Sequence, residues 1–239
     1  MFKNQLLISK FLKDTPCAPI TDAAKYLAGM VISNGYHEDL IQGEDKELMR
    51  WLYSNAENKR RLEEFLAFAD TGVAGFQMEK RSDRVEVASL HGLYNKGEQV
   101  GKIDLPLQEE SFGTRALFLI GCRILQALQN GSPFLIDEVD SGLHSYITQL
   151  IVDVFRNQRI NRRGAQLIFS THDVNLLDQN TIRKDQVWFT SKDEQGVSEL
   201  FSLSDFEDVR EDTPFAKWYM NNKFGGVPSL KSLDELFME

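Results

Sequence analysis

The sequence lacks the features of several specialised classes of protein. Only two of its 239 residues are cysteines, Cys17 and Cys122, and they lie far apart, so we expect reduced thiols rather than a disulfide framework. No apolar run approaches the roughly 18 residues that a membrane-spanning helix needs, and the first residues lack the long apolar core of a secretion signal. There is also no internal repeat and no low-complexity tract. These absences predict a cytoplasmic globular protein without membrane association.

Basic residues are not in excess either. The chain has 27 Lys and Arg against 36 Asp and Glu, which gives a net charge of −9. A charge of this sign disfavours generic binding of polyanions, although a local basic patch for nucleic acid remains open. The length fits one large domain, or a domain with an appendage, and 42% hydrophobic residues is ordinary for a globular protein.

The spacing of apolar residues divides the chain into three parts. Residues 1–70 are predicted to form a helical lead segment, whose longest helix runs from Glu44 to Ala69. Residues 71–206 are predicted to form the core, with a β-hairpin region first and alternating strands and helices after it. Residues 207–239 are predicted to be a tail that docks through aromatic side chains. The order strand, helix, strand predicts an α/β fold with a mostly parallel sheet.

Two of the predicted strands, residues 133–138 and 165–170, are apolar along most of their length. Runs of this kind are typical of parallel strands that are buried on both faces. We therefore expect these strands to be neighbours inside the sheet.

Carboxylates and a histidine follow these two strands. The first strand ends in Asp137 and Glu138, and Asp140 lies two residues after Glu138. His172 lies just beyond the second strand. Burying carboxylates together is costly, so such a strand end indicates a bound cation or a polarised water molecule. Ligands bind beyond the carboxyl ends of parallel strands, which predicts a single site. The alternatives are that Asp137 or Asp140 caps the next helix, and that His172 is an ordinary loop histidine.

A third polar segment, from Ser111 to Thr114, leads into a predicted apolar helix. Helix N-termini bind phosphate because they expose free N–H groups and the positive end of the helix dipole. Ser111 can add a hydroxyl donor there, and Gly113 can let a phosphate approach the backbone closely. The alternative is that Ser111 is only an N-terminal cap.

Taken together, three motifs resemble the C-terminal half of an ABC-class ATPase. They are Glu-Ser-x-Gly-Thr-Arg, then Phe-Leu-Ile-Asp-Glu-Val-Asp-Ser-Gly-Leu-His, then Phe-Ser-Thr-His-Asp. The resemblance covers roughly residues 60 to 230 and is to prokaryotic AAA-family ATP-binding proteins related to SMC and RecF, which often occur in abortive-infection and phage-defence operons. It implies the C-terminal lobe of a P-loop NTPase fold, with ATP and Mg²⁺ as ligands and ATP hydrolysis as the reaction.

The resemblance implies a role for each residue at the two strand ends. Asp137 matches the Walker B aspartate, which holds Mg²⁺ directly or through water. Glu138 matches the base that orients the attacking water, and His172 matches the switch histidine that reaches the γ-phosphate. Adjacent residues on a strand project to opposite sides, so Asp137 and Glu138 can divide the metal and water tasks.

The resemblance also implies a dimer. Ser111 and Gly113 match the signature motif, which contacts the γ-phosphate bound to the opposing subunit, and Thr114 in the same motif is a further candidate for nucleotide binding. Asp140 matches the D-loop, which crosses the dimer interface. The implied partners are a second copy of the chain in the presence of ATP, or a chain that supplies a missing lobe. An effector protein is a further candidate partner.

One motif of this class is absent. Gly-x-x-x-x-Gly-Lys-Ser/Thr, the Walker A loop that cradles the phosphates, occurs nowhere in the sequence. The nearest string, from Gly97 to Ile103, is one residue short and lies in a predicted hairpin. We therefore expect a fragment or a split subunit that needs a lobe carrying this loop. Phe112, where transporters usually have glycine, argues against membrane transport.

Two other readings of the sequence remain open. The chain can be a non-catalytic interaction module that keeps the fold without turnover. It can also be a metal-dependent nuclease or phosphatase that uses the same carboxylates and histidine as metal ligands, which would require further carboxylates from other strand ends.

Overall fold

The computed structural model describes residues 26, 29–34, 46–82, 84–193, 195–210 and 212–228. The chain divides into two compact units, residues 1–172 and 173–239. No helix within the described ranges is both long enough and apolar enough to cross a bilayer. Cys17 and the last part of the predicted tail lie outside the described residues.

Two helices begin the described core of the first unit. Helices α1 (Lys46–Tyr53) and α2 (Ala56–Phe68) occupy the region where the sequence predicts one continuous helix. The break falls at Asn55, whose backbone is extended. Its side-chain Oδ1 accepts a hydrogen bond from the N–H of Glu57 at 2.9 Å. Asparagine in this capping geometry starts a new helix, which is why the prediction of a single helix was wrong.

An antiparallel sheet follows, in the order β2 (Val73–Arg81), β3 (Arg84–Asn95) and β4 (Glu98–Pro106). Lys96 and Gly97, between β3 and β4, have φ values of 51° and 89°. Positive φ at both central residues is the geometry of a tight hairpin turn, so the predicted hairpin is confirmed.

A parallel sheet holds the two predicted strands. Its order is β1 (Val31–Asn34), β5 (Phe134–Asp137) and β6 (Leu167–Phe169), and all neighbours are parallel. Helix α3 (Phe112–Asn130) precedes β5, and helix α4 (Ser145–Arg156) connects β5 to β6. The mixed α/β architecture predicted from the sequence is confirmed.

The two faces of this parallel sheet differ in exposure among the described residues. Phe134 packs against Phe155 of α4, with ring centroids 6.3 Å apart. On the opposite face, Ile32, Leu135 and Ile168 are neighbours across the three strands. Ile32 is 67% exposed and Ile168 is 50% exposed, so the prediction that both faces are buried is wrong for this face.

The core of the first unit lies between α1, α2, α3 and the antiparallel sheet. Phe76 of β2 meets Phe118 of α3 edge to face at 4.9 Å, and both rings are buried. Helix α3 is apolar on most of its circumference, so it packs against α2 on one side and against the parallel sheet on another. This packing fixes the direction of α3 and therefore the position of its N-terminus.

The second unit is built on an antiparallel hairpin, β7 (Trp188–Lys192) and β8 (Ser198–Ser202), and a short helix α5 (Phe215–Met220). The sequence predicts a strand over residues 185–190, but β7 begins only at Trp188, because Lys184–Gln186 forms a 3₁₀ turn. The aromatic residues expected to dock the tail pack around the ring of Phe189, which lies 5.4 Å from Tyr219 and 5.3 Å from Phe224.

Candidate functional site

Asp137 is the last residue of β5, and its exposed carboxylate is oriented by a hydroxyl group from the next strand. Ser170, the first residue after β6, donates a hydrogen bond to Asp137 Oδ1. The same oxygen of Ser170 accepts the backbone N–H of Glu138 at 2.8 Å. Since a hydroxyl has one proton and two lone pairs, Ser170 can make both bonds at once. It therefore connects the two adjacent acidic residues.

Glu138 lies outside the strand and in an unusual backbone conformation. Its φ is +52°, in the left-handed region that side chains other than glycine rarely adopt. The bend is held by the Glu138 N–H, by Val139 N–H bonded to the Ser170 carbonyl at 3.0 Å, and by Ser141 N–H bonded to the Glu138 carbonyl at 2.9 Å. The backbone bend, rather than the alternation of a strand, therefore separates Glu138 from Asp137.

Asp140 joins the loop after β5 to the loop after β6. Its Oδ1 accepts the hydroxyl of Thr171 at 2.6 Å and the backbone N–H of His172 at 3.3 Å. Helix α4 is capped by His144, whose Nδ1 accepts the N–H of Tyr146 at 3.2 Å. The alternative in which Asp137 or Asp140 caps this helix is therefore wrong, and Asp140 instead holds the backbone that presents the exposed His172.

Ser111 is the N-terminal cap of α3. Its Oγ accepts the N–H of Thr114 at 3.1 Å, and the two hydroxyl groups are 2.8 Å apart. The capping alternative is thus confirmed as a structural role. Because Ser111 is exposed and this terminus is the positive end of the α3 dipole, capping leaves the phosphate-binding role open.

The N-terminus of α3 packs directly against the loop that contains Asp140. A Cβ atom added to Gly113 would lie 2.8 Å from the carbonyl oxygen of Gly142. A Cβ atom added to Gly142, whose φ is +69°, would overlap the ring of Phe112. Two of the three predicted motif segments are therefore in contact, and the space at Gly113 is occupied by a carbonyl group of the same chain.

The donors at this site fit a hard cation. Mg²⁺ takes oxygen ligands and keeps several waters, so one exposed carboxylate such as Asp137 can suffice as its protein ligand. Within the described ranges, no group of three His, Cys, Asp or Glu side chains is arranged to hold a metal ion. A site with one exposed carboxylate therefore fits a metal ion whose other ligands are phosphate and water.

Comparison with known protein families identifies the class. The family model described as "AAA domain, putative AbiEii toxin, Type IV TA system" matches residues 33–178, which include both loops and the start of α3. The chain belongs to this AAA-domain family. The AAA assignment supports an ATPase-type, nucleotide-binding domain of the P-loop class, in which Mg²⁺ accompanies ATP. No curated protein matches the chain.

Two features of the AAA domain escaped sequence reasoning. Ser170 ends a predicted strand and is not predicted to belong to the site, although Ile136 pairs with Phe169 and the residues that follow these two along the chain are Asp137 and Ser170. Strand β1 was not predicted either, because its four residues, Val-Ile-Ser-Asn, are too few to show a period.

Proposed function

We propose that this AAA domain is the C-terminal half of an ABC-class ATPase, carrying the signature, Walker B, D-loop and switch-histidine segments. The system we propose is of the abortive-infection or phage-defence type. The observation that carries this proposal is the hydrogen-bonded connection through Ser170, which joins Asp137 and Glu138 at the carboxyl ends of two parallel strands.

In the proposed reaction, Asp137 holds Mg²⁺ and Glu138 accepts a hydrogen bond from the attacking water. His172 hydrogen-bonds the γ-phosphate, and the bond from Asp140 fixes the backbone that carries it. Mg²⁺, when bound, neutralises charge on the phosphates. Phosphoryl transfer depends on positioning and charge neutralisation, which agrees with a site whose backbone is held by several short hydrogen bonds.

The N-terminus of α3 is proposed to act on nucleotide bound by an opposing subunit. Ser111 and Thr114 provide hydroxyl groups there, and the first turn of α3 provides the positive end of the helix dipole. The contact between Gly113 and Gly142 supports this arrangement, because it requires the signature and D-loop segments to reach the partner together.

The proposed enzyme needs a Walker A loop from outside these 239 residues, whether on a longer chain or on another polypeptide. The exposed row on the parallel sheet supports a covering lobe, since parallel sheets are ordinarily covered on both faces. We expect no measurable ATP turnover from the chain alone.

The test is nucleotide binding measured beside turnover, in an assembly of this chain with a lobe that carries a Walker A loop. Glu138→Gln preserves size but cannot polarise water, so binding should remain while turnover falls by about a thousandfold. Asp137→Asn should instead weaken binding of Mg·ATP, because it removes a charge from the cation site. Asp104→Asn, an exposed carboxylate on β4, is the control and should change neither quantity.

Two outcomes would contradict the proposal. If Glu138→Gln hydrolyses ATP as fast as the parent, Glu138 is not the base. If the parent assembly binds ATP and hydrolyses none, the chain is a non-catalytic interaction module instead.

A further inference from the structure

Glu110 is a buried acidic residue directly before the proposed signature serine. It is 8% exposed, and no other Asp, Glu, Lys or Arg among the described residues is buried to this degree. A carboxyl group at such a position is costly unless it is hydrogen-bonded. A leucine would fill the same volume without that requirement, so the partners of Glu110 indicate what it does.

Both partners of Glu110 come from strand β3. Glu110 Oε1 accepts a hydrogen bond from the hydroxyl of Ser89 and lies 2.5 Å from His91 Nε2. Ser89 is completely buried and also lies 3.1 Å from the carbonyl oxygen of Leu105 on β4. The Ser89 hydroxyl has one proton, so it donates either to Glu110 or to the Leu105 carbonyl at any moment. His91 Nε2 has no such second acceptor in this group, so it is the more constant partner of Glu110.

The segment before α3 is also held by a hydrogen bond from α3 itself. Glu110 closes the 3₁₀ turn Leu107–Glu109, and Arg115 of α3 donates a hydrogen bond to the carbonyl of Gln108 at 2.6 Å. The N-terminus of α3 is therefore connected to β3 through Glu110 and to the preceding turn through Arg115. Ser111 lies between these two attachments.

We propose that Glu110 is a positioning residue that fixes Ser111 and the N-terminus of α3 relative to strand β3, with His91 as its principal donor. The effect on catalysis rests on the proposed function, because it requires Ser111 to contact nucleotide in a partner subunit. The effect on the position of α3 does not, and it can be measured without nucleotide. The antiparallel sheet thereby sets the geometry of the phosphate-contacting terminus.

The first experiment is amide hydrogen exchange on the full chain without nucleotide. Glu110→Gln should raise exchange of the amides of residues 111–116 by about tenfold relative to the amides of α4, because a bond to a charged group is weakened. Glu109→Gln changes the exposed neighbouring carboxylate and should leave exchange as in the parent. Equal exchange in all three proteins would overturn the proposal.

The second experiment separates positioning from general stability. His91→Leu removes the donor, and His91→Gln restores one at the same distance along the side chain. His91→Leu should reproduce the exchange change of Glu110→Gln, and His91→Gln should reverse most of it. The double variant Glu110→Gln with His91→Leu should show no additional increase, since both changes break one contact. Additive effects, or no rescue by glutamine, would contradict the proposal.

The third experiment uses the assembly with a Walker A lobe. Glu110→Gln should lower turnover at saturating ATP by about tenfold with an unchanged affinity for ATP, because Ser111 acts on nucleotide held by the other subunit. A lowered affinity with unchanged turnover would contradict the positioning role. If the parent assembly has no turnover, the proposed function fails, and the two exchange experiments still decide whether Glu110 positions α3.

Discussion

At the scale of single residues, the candidate site depends on one hydroxyl group. Ser170 holds the Asp137 carboxylate and the bent backbone at Glu138 through the same oxygen atom. Its removal frees the carboxylate to rotate and leaves a backbone N–H without its partner. The consequence should be visible in both cation binding and stability.

We predict that Ser170→Ala lowers the free energy of unfolding by about 1–2 kcal/mol, the usual effect of losing such hydrogen bonds. In the assembled ATPase it should also weaken Mg·ATP binding, because Asp137 is no longer held in one orientation. Ser170→Thr keeps the hydroxyl and is the matched control. Urea unfolding and Mg²⁺ titration of nucleotide binding measure the two effects, and equal values for alanine and threonine would refute this role.

Residue types and their order were sufficient to predict that these acidic residues follow a strand, but the hydrogen bonds that orient them were not predictable. The sequence places Asp137, Glu138 and His172 at strand ends, and the structure shows Asp140 and Ser170 holding them. The left-handed bend at Glu138 could not be read from the sequence, because glutamate has no preference for that conformation.

At the scale of elements, the start of α3 and the loop after β5 pack so closely that a single added methyl group would overlap an existing atom. Gly142 and Gly164 both have a φ of +69°, but only Gly142 is crowded, by the Phe112 ring. The two glycines therefore separate backbone strain from steric overlap. An alanine at position 164 tests backbone strain alone, and an alanine at position 142 tests strain together with overlap with the Phe112 ring.

We predict that Gly164→Ala costs about 1 kcal/mol of stability from backbone strain alone. Gly142→Ala should cost more, because the ring must also move. Adding Phe112→Ala should recover the part of that loss that comes from overlap. Thermal unfolding of the parent and the three variants measures these differences, and identical losses for Gly142→Ala and Gly164→Ala would show that the Phe112 ring moves at no cost.

Helix α2 carries the clearest electrostatic signal among the described residues. The pKa of Glu57 is lowered from 4.5 to about 2, chiefly by hydrogen bonds from Arg60 and then from Arg61. The folded-state pKa is below the ordinary value, so this contribution is present above pH 4.5 and is lost as the pH falls through about 2. Because these groups are fully exposed, the effect should be small and sensitive to salt.

We predict that Glu57→Gln is less stable than the parent at neutral pH and that this difference shrinks between pH 4.5 and about 2. Glu64→Gln, which changes an exposed carboxylate on the same helix, is the comparison. Urea unfolding across this range, at low and high salt, measures the difference. A difference that grows on acidification would contradict the assignment.

The helices and strands were predictable where the apolar pattern repeats over several turns or residues. The sequence predicts a helix from Ser145 to Arg156, because five apolar residues share one face over three turns, and helix α4 has these bounds. Strand β1 and the break at Asn55 were missed for opposite reasons: the strand is too short to show a period, and the apolar spacing continues across the break. Pairing with β5 makes residues 31–34 a strand, and the capping by Asn55 starts a new helix.

At the scale of the whole molecule, the feature with the clearest consequence is the apolar face on which Ile32 and Ile168 are exposed on either side of the half-buried Leu135. An uncovered apolar face on a parallel sheet favours association. The absence of a Walker A loop from these 239 residues and the exposed face are independent observations, and both agree with the proposed covering lobe.

We predict that the isolated chain self-associates and that Ile168→Ser reduces this association. Val100→Ser, which changes an equally exposed apolar residue on β4, is the control and should not reduce it. Light scattering over a range of concentrations gives the mass of each protein. A parent chain that stays monomeric throughout would count against an uncovered face in solution.

The bend at Glu138 also bears on how such a protein can be redesigned. Glycine is the residue best suited to a φ of +52°, so a sequence optimised only for stability would replace Glu138 with glycine. The replacement would relax the backbone and delete the side chain that the proposed reaction requires. A method that scores only the folded state would therefore treat the proposed catalytic base as an error to repair, and stabilised versions of this domain should be built with position 138 held fixed.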